Sequence, residues 1–224
     1  MKSTKSRLRT MFSGYVGFAI FGMLVFGPVG TFNYWRGWVF LAVIAISSWI
    51  MSLYFMRVNP AVLERRVPVA ESRKYQKTVM SGIYLLAAAT VAVSSLDYRL
   101  GWSAVPVAVS LVGDVLVAAG IWAMGVVLAQ NNHASVTIQV ETGQELVSTG
   151  LYGLVRHPMY ACNAFFLVGI PLALGSYWGL IFAVPCLSLF AVRIHDEEKM
   201  LQGELAGYHE YMQQVRYRLV PYVW

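Results

Sequence analysis

The sequence predicts an all-α membrane protein, a polytopic helical bundle of four spans followed by a C-terminal helical hairpin and a cytoplasmic C-terminal cap. Hydrophobic residues make up 58% of the 224 residues and charged residues only 12%, whereas a soluble domain usually carries about 25% charged residues. The apolar residues are also gathered into long intervals that are almost free of charge. Lipid is therefore the expected solvent for much of the surface.

Four intervals have the length to cross a bilayer once, because a hydrocarbon core of about 30 Å requires roughly 20 apolar residues in a helix. Asp114 is the one charged residue inside them. These intervals are residues 11–30, 37–56, 78–96 and 102–129. Between the second and the third, the charged segment 57–77 contains two prolines. We predict that this segment is an interfacial loop or short helix lying on anionic lipid headgroups.

A fifth charge-free interval, residues 158–192, is too long for one helix and slightly short for two full spans. Gly169, Pro171, Gly175 and Ser176 lie at its middle. Because glycine and proline mark turns between apolar segments, the interval is predicted to fold as a helical hairpin.

Lysine and arginine residues predict the orientation, since short cytoplasmic loops are enriched in them. With four spans and a hairpin, 15 of the 17 Lys and Arg residues fall on one side of the membrane. Only Arg36 and Arg99 fall on the other side. Both termini are therefore predicted to be cytoplasmic.

The composition also separates a scaffold from a region suited to chemistry. Residues 1–129, which include segment 57–77, are predicted to be a transmembrane scaffold, and residues 130–224 hold the polar motifs. The net charge of +6 accompanies apolar runs, so membrane lipids rather than nucleic acid are the expected partners. Cys162 and Cys186 lie in apolar stretches without spacing typical of metal ligands, so neither a disulfide framework nor a metal site is predicted.

Two polar motifs bracket the predicted hairpin. The first is LVSTGLYGLVRHPMY at residues 146–160, and the second begins with RIHDEEKML at residue 193. A hairpin returns to the side on which it starts, so Arg156 and His157 are expected close to Arg193 and Glu197. The sequence thus predicts a pocket at the membrane surface.

Each motif has a functional and a purely structural interpretation. Pro158 predicts a helix start at which free backbone N–H groups favour an anion, but Arg156 and His157 could instead cap the helix and anchor it among headgroups. Arg193 and Glu197, four positions apart, could pair with each other. Alternatively, the arginine could hold a carboxylate and the glutamate an ammonium group.

Asp114 lies well inside the fourth predicted span, where a charged residue is expensive and usually faces the protein interior. The favoured interpretation is a structural partner for a hydroxyl or backbone group on a neighbouring helix. The alternative is a functional role, which a small transporter or membrane adaptor would require.

The two motifs, in this order around a hairpin, resemble the isoprenylcysteine carboxyl methyltransferase family over roughly residues 130–221, with a more distant likeness to membrane phospholipid methyltransferases. The resemblance implies S-adenosylmethionine as the cofactor and a lipid-like or apolar acceptor. It also implies that Arg193 binds the acceptor carboxylate and acts in catalysis, and that Glu197 holds the amino group of the cofactor. The remaining cofactor-binding residues that it implies are Gln144, Glu145, Leu146, Val147, Tyr152, His157, Pro158, Met159 and Tyr160, with Gln139 less directly matched.

Carboxyl methylation is the activity that the resemblance favours. An amine of a phospholipid headgroup or a small thiol is the alternative acceptor. A membrane reductase with a nicotinamide cofactor and a non-enzymatic transporter are the remaining alternatives.

Overall fold

The computed structural model describes residues 2–65, 73–131, 140 and 143–224. Gln139 lies outside the described residues, as does part of segment 57–77. The described chain forms eight α-helices and two short 3₁₀ helices. The α-helices are α1 Lys2–Val29, α2 Trp35–Val58, α3 Pro60–Arg65, α4 Lys74–Leu100, α5 Val107–Gln130, α6 Pro158–Ala173, α7 Ala183–Glu204 and α8 Tyr208–Gln214, and the 3₁₀ helices are Gly150–Gly153 and Trp178–Phe182.

The all-α membrane architecture predicted from the sequence is confirmed. Within the described residues, four helical segments have the length and composition to cross a membrane, namely Trp35–Val58, Lys74–Leu100, Val107–Gln130 and Trp178–Glu204. Two shorter apolar segments accompany them, Val16–Val29 within α1 and Pro158–Ala173. The chain is thus a multi-pass membrane protein.

Two predicted element boundaries are shifted for local reasons. The span predicted from residue 102 begins as a helix only at Val107, because Pro106 holds an extended backbone with ψ of 147° at the N-cap. The segment predicted as an interfacial loop or short helix contains α3, and α4 already begins at Lys74. Lys74 and Lys77 therefore belong to a helix that extends beyond the predicted apolar span 78–96.

The predicted hairpin is present, with arms of unequal length. Its first arm, α6, has 16 residues, or about 24 Å at 1.5 Å per residue. The chain reverses direction at Gly175, which adopts a left-handed φ of 77°. Gly169 lies inside the helix, where a Cβ would approach the backbone oxygen of Gly113 to 2.9 Å. This glycine permits close packing of α6 on α5 and does not form the turn.

A polar network fastens the turn of the hairpin to the loop between α4 and α5. The buried Asp97 carboxylate accepts hydrogen bonds from the backbone N–H and hydroxyl of Ser103, both at 2.6 Å. It also accepts one from the Ser176 hydroxyl at 2.5 Å. Arg36 lies at this same end, where it donates to the Val105 carbonyl at 2.6 Å. The turn is therefore fixed at the end of the bundle opposite to the two sequence motifs.

Asp114 does not find the neighbouring partner that the sequence interpretation favoured. It is buried on α5, yet neither carboxylate oxygen has a hydrogen-bond partner in the described part of the chain. Ser110, one turn before it, is likewise buried with an unpartnered hydroxyl. Within the described residues, no donor therefore reaches the Asp114 carboxylate.

Candidate active site

The arginine-histidine-proline motif forms the start of α6. His157 occupies the N-cap and Pro158 the first helical position, where the missing N–H of proline costs no hydrogen bond. The His157 side chain makes no capping hydrogen bond. Instead, the backbone N–H groups of Arg156 and His157 donate to the carbonyls of Tyr217 and Arg218, each at 2.9 Å. The C-terminal segment therefore runs alongside the motif and fixes its backbone.

Glu198 connects the two motifs through three basic side chains. Its Oε1 accepts a hydrogen bond from Arg156 Nε at 2.7 Å and lies 3.3 Å from His157 Nε2. Its Oε2 accepts from Arg218 Nε at 2.9 Å. The Arg156 guanidinium also donates to the Val215 carbonyl at 2.7 Å. Glu198 is 3% exposed, so this carboxylate is compensated by its partners rather than by water.

The sequence analysis expected Arg156 and His157 to lie near Arg193 and Glu197. The motifs do come together, but the acidic residue that contacts Arg156 and His157 is Glu198 rather than Glu197. Adjacent positions on an α-helix point about 100° apart, so Glu197 and Glu198 face different neighbours. The Arg156 guanidinium is buried and bonded within the protein, so it does not anchor the helix among lipid headgroups.

Tyr160 bridges Arg193 and Glu197. Arg193 Nε donates a hydrogen bond to the Tyr160 hydroxyl at 2.9 Å, and that hydroxyl donates to Glu197 Oε2 at 2.8 Å. Tyr160 and Arg193 are buried, whereas Glu197 is half-buried. The two charged groups of α7 are thus coupled through a phenol of α6. We call the six residues Arg156, His157, Tyr160, Arg193, Glu197 and Glu198 the motif cluster.

The first half of the chain contributes two residues that the sequence analysis did not select. Gln76 of α4 is fully buried, and its Oε1 accepts a hydrogen bond from the Arg193 guanidinium at 2.8 Å. The other end of the amide donates to the Asp196 carboxylate, which also accepts from Arg73 at 2.8 Å. Gln76 lies at the charged N-terminal end of α4, and no spacing in the sequence connects it with α7.

The loop before α6 holds the remaining predicted cofactor residues. Gln144, Leu146 and Val147 are half-buried, and Glu145 is exposed. Leu146 packs against the apolar cluster formed by the end of α7 and α8. Tyr152 lies in the 3₁₀ helix Gly150–Gly153, and its carbonyl accepts a hydrogen bond from the Tyr211 hydroxyl at 2.6 Å.

Helix α8 places two tyrosines beside this loop and the motif cluster. Their rings lie 5.6 Å apart, and both are buried. The Tyr211 hydroxyl is bonded to Tyr152, whereas the Tyr208 hydroxyl has no hydrogen-bond partner in the described part of the chain. Burial raises the pKa of the Tyr208 phenol, the charges of Glu198 and Glu197 raise it further, and Arg156 lowers it. Tyr208 is therefore a protonated hydroxyl beside the motif cluster.

An apolar cleft of about 300 Å³ lies between α2, α3, α5 and the first half of α6. Cys162, Asn163 and Phe166 form its α6 wall, one to two turns after the arginine-histidine-proline motif. Met51 and Phe55 form the wall on α2. The cleft has the size and the apolar lining to take an apolar chain.

Comparison with known proteins finds a family model that is similar to this region. The phospholipid methyltransferase family matches residues 108–206. The match covers α5, the hairpin and the whole motif cluster. The family-level resemblance expected from the two motifs is thereby confirmed.

Two further proteins are similar to the chain. The delta(14)-sterol reductase TM7SF2 of Mus musculus is 31% identical over 91 residues, which are 39% of this chain and 22% of the reductase. The chain thus spans about a fifth of the length of that curated relative. The solved structure of the eukaryotic intramembrane Ras methyltransferase ICMT, isoprenylcysteine carboxyl methyltransferase, aligns with 98% of this chain and 94% of its own, at 19% identity and a TM-score of 0.46.

Proposed function

We propose that this protein transfers a methyl group from S-adenosylmethionine to a lipid-like acceptor, with a carboxylate as the favoured methylated group. The observation that carries the proposal is the bridge from Arg193 through Tyr160 to Glu197, inside a region similar to the phospholipid methyltransferase family. This arrangement holds a cationic and an anionic side chain at one site. Such a pair suits a zwitterionic amino-acid moiety and an anionic acceptor.

The residues near the motif cluster fit the cofactor. Glu197 offers a half-buried carboxylate for an ammonium group. The unpartnered Tyr208 hydroxyl indicates that a polar ligand group belongs beside them. We therefore assign cofactor binding to Gln144, Glu145, Leu146, Val147, Tyr152, His157, Pro158, Met159, Tyr160 and Glu197.

When bound, S-adenosylmethionine would supply a methyl group on a positively charged sulfur atom. An acceptor carboxylate is already ionised near neutral pH and needs no general base. The role of the protein is then to align the acceptor oxygen and to exclude water. Arg193 is assigned this role, because an arginine clamps a carboxylate through parallel hydrogen bonds, and Tyr160 and Gln76 fix its guanidinium.

The membrane setting supports an apolar acceptor. The cleft is lined mainly by apolar side chains, and its α6 wall begins at Cys162, two residues after Tyr160 of the motif cluster. We infer that the acceptor is held by its apolar chain there, with its head group at the cytoplasmic face. The cytoplasmic placement of both termini follows from the distribution of lysine and arginine.

Binding of S-adenosylmethionine to the detergent-purified protein tests the cofactor. We expect wild type and Glu204→Gln, an exposed glutamate of the same helix, to bind equally. Glu197→Gln should bind at least about tenfold more weakly, since it removes the charge that pairs with the ammonium group. A folded wild type that does not bind would reject the proposal.

The sterol reductase similarity favours one second candidate, a membrane reductase. A reductase would bind a reduced nicotinamide cofactor, whereas our proposal predicts no competition between that cofactor and S-adenosylmethionine. Among methyl acceptors, turnover of a prenylated carboxylate but not of a phospholipid amine or small thiol would identify the acceptor class. The opposite pattern would retain methyl transfer and change the acceptor.

A further inference from the structure

The Tyr208 hydroxyl is a buried hydrogen-bond donor on α8. Tyr208 is 3% exposed, and its hydroxyl has no hydrogen-bond partner in the described residues. A buried hydroxyl that has lost its water partners costs free energy unless something else bonds to it. Unpartnered polar atoms also occur in the described parts of α2, α4 and α5, on Arg36, Ser95, Ser110 and Asp114. These helices do not include Tyr208, which lies on α8.

The ring of Tyr208 is held rigidly. It packs with Leu205, Tyr211 and Val215, and Leu146 from the loop before α6 packs against the same group. The backbone N–H of Tyr208 donates to the Leu205 carbonyl at 3.2 Å. The hydroxyl is therefore fixed in position between the loop and the motif cluster.

Tyr211 shows what the same side chain does when it has a structural task. It lies one turn further along α8, is equally buried, and donates its hydroxyl to the Tyr152 carbonyl at 2.6 Å. Tyr208 has the same chemistry and burial but no such acceptor. The contrast indicates that the Tyr208 hydroxyl serves a bound molecule.

We propose that the Tyr208 hydroxyl donates a hydrogen bond to the amino-acid carboxylate of the bound methyl donor. The assignment rests on the proposed function and adds a cofactor-binding residue to it. A carboxylate has several lone-pair sites and needs donors, and the hydroxyl is a neutral donor that does not titrate near neutral pH. The ammonium group of the same ligand is already assigned to Glu197.

The test compares two ligands that differ by one group. Equilibrium binding of S-adenosylhomocysteine and of its decarboxylated analogue, which keeps the amine, is measured on the full detergent-purified chain. The variants are wild type, Tyr208→Phe and Tyr211→Phe. For Tyr208→Phe we expect about a tenfold loss of affinity for S-adenosylhomocysteine and an unchanged affinity for the decarboxylated analogue.

Thermal unfolding without ligand supplies a readout that is independent of binding. Tyr208→Phe should unfold at the wild-type temperature or above it, because no internal hydrogen bond is lost. Tyr211→Phe should unfold at a lower temperature, because the bond to Tyr152 is removed.

Three results would overturn the assignment. These are wild-type affinity of Tyr208→Phe for S-adenosylhomocysteine, an equal loss for both ligands, and a fall in its unfolding temperature as large as that of Tyr211→Phe. Failure of the folded wild type to bind S-adenosylhomocysteine would instead reject the proposed cofactor, and this inference with it.

Discussion

Arg156 Nε donates a hydrogen bond at 2.7 Å to Oε1 of Glu198, a residue 42 positions later in the chain. The contact joins the start of α6 to the far part of α7, and it exists only because the hairpin returns to its starting side. Arg218 binds the other oxygen of the same carboxylate. One acidic side chain therefore holds both motifs and the C-terminal segment together.

Replacing Glu198 should destabilise the protein more than any other single change in the motif cluster. Glu198→Ala would leave the buried Arg156 guanidinium without its carboxylate, and breaking a buried ion pair on one side costs about 3–5 kcal/mol. Thermal unfolding in detergent measures the effect. Glu204→Ala, at an exposed position of the same helix, is the control and should unfold like wild type. Equal unfolding temperatures for the two variants would contradict the structural role of Glu198.

Tyr160→Phe tests the bridge between Arg193 and Glu197. The variant keeps the ring and removes the hydroxyl that accepts from Arg193 and donates to Glu197. The loss of two hydrogen bonds should cost about 1–3 kcal/mol of stability and lower methyl transfer, because Arg193 loses one of its supports. The measurements are thermal unfolding and turnover, with the exposed Tyr84→Phe as control. Unchanged turnover in Tyr160→Phe would show that the bridge has no part in catalysis.

Gln76 is predicted to act on the acceptor through Arg193. Gln76→Met keeps the length of the side chain. It removes the amide oxygen that accepts a hydrogen bond from Arg193 and the amide nitrogen that donates one to Asp196. We expect the KM for a carboxylate acceptor to rise about tenfold or more, while affinity for S-adenosylmethionine stays within about twofold. Gln76→Glu restores an acceptor for Arg193 but places a second carboxylate beside Asp196, so its KM should not return to the wild-type value.

Thr90→Val provides the matched control for Gln76. Thr90 is a fully buried polar residue of the same helix, and its hydroxyl donates to the Leu86 carbonyl of that helix. The Thr90→Val variant should leave KM unchanged. An equal rise of KM in Thr90→Val, or a parallel loss of cofactor affinity in Gln76→Met, would indicate a general effect on the bundle rather than positioning of Arg193.

Much of the fold could be predicted because charge-free intervals and turn residues are local signals. The length of the interval 158–192 and the glycine and proline residues at its middle predicted the hairpin. The start of α5 at Val107 was not predicted, because hydropathy does not distinguish an extended apolar segment from a helix. Only the backbone of Pro106 does so.

The site was predicted less completely, because its contacts join residues far apart in sequence. The order of the two motifs gave Arg193 and Glu197, but whether Glu197 or Glu198 faces Arg156 depends on the rotation of α7 in the bundle. Gln76 could not be found from the sequence at all, since its partners lie 117 and 120 positions away. Segment 1–129, predicted to be scaffold, therefore supports the candidate acceptor arginine.

Asp114 and Asp97 should respond oppositely to the same substitution. Asp97 accepts three hydrogen bonds from Ser103 and Ser176, so Asp97→Asn should lower stability by about 1–3 kcal/mol, since an amide cannot accept at both of its ends. The carboxylate of Asp114 has no partner in the described residues, so Asp114→Asn removes no bond. Its unfolding temperature should equal or exceed that of wild type, because a neutral amide is cheaper to bury than a carboxylate.

Asp114→Asn and Glu197→Gln together separate an enzyme from a transporter. If the proposed function is correct, Asp114→Asn binds S-adenosylmethionine as wild type does, because α5 contributes no residue to the motif cluster. A transporter would instead depend on a buried acidic residue within a span. A stable Asp114→Asn that loses activity while Glu197→Gln retains it would therefore favour transport over methyl transfer.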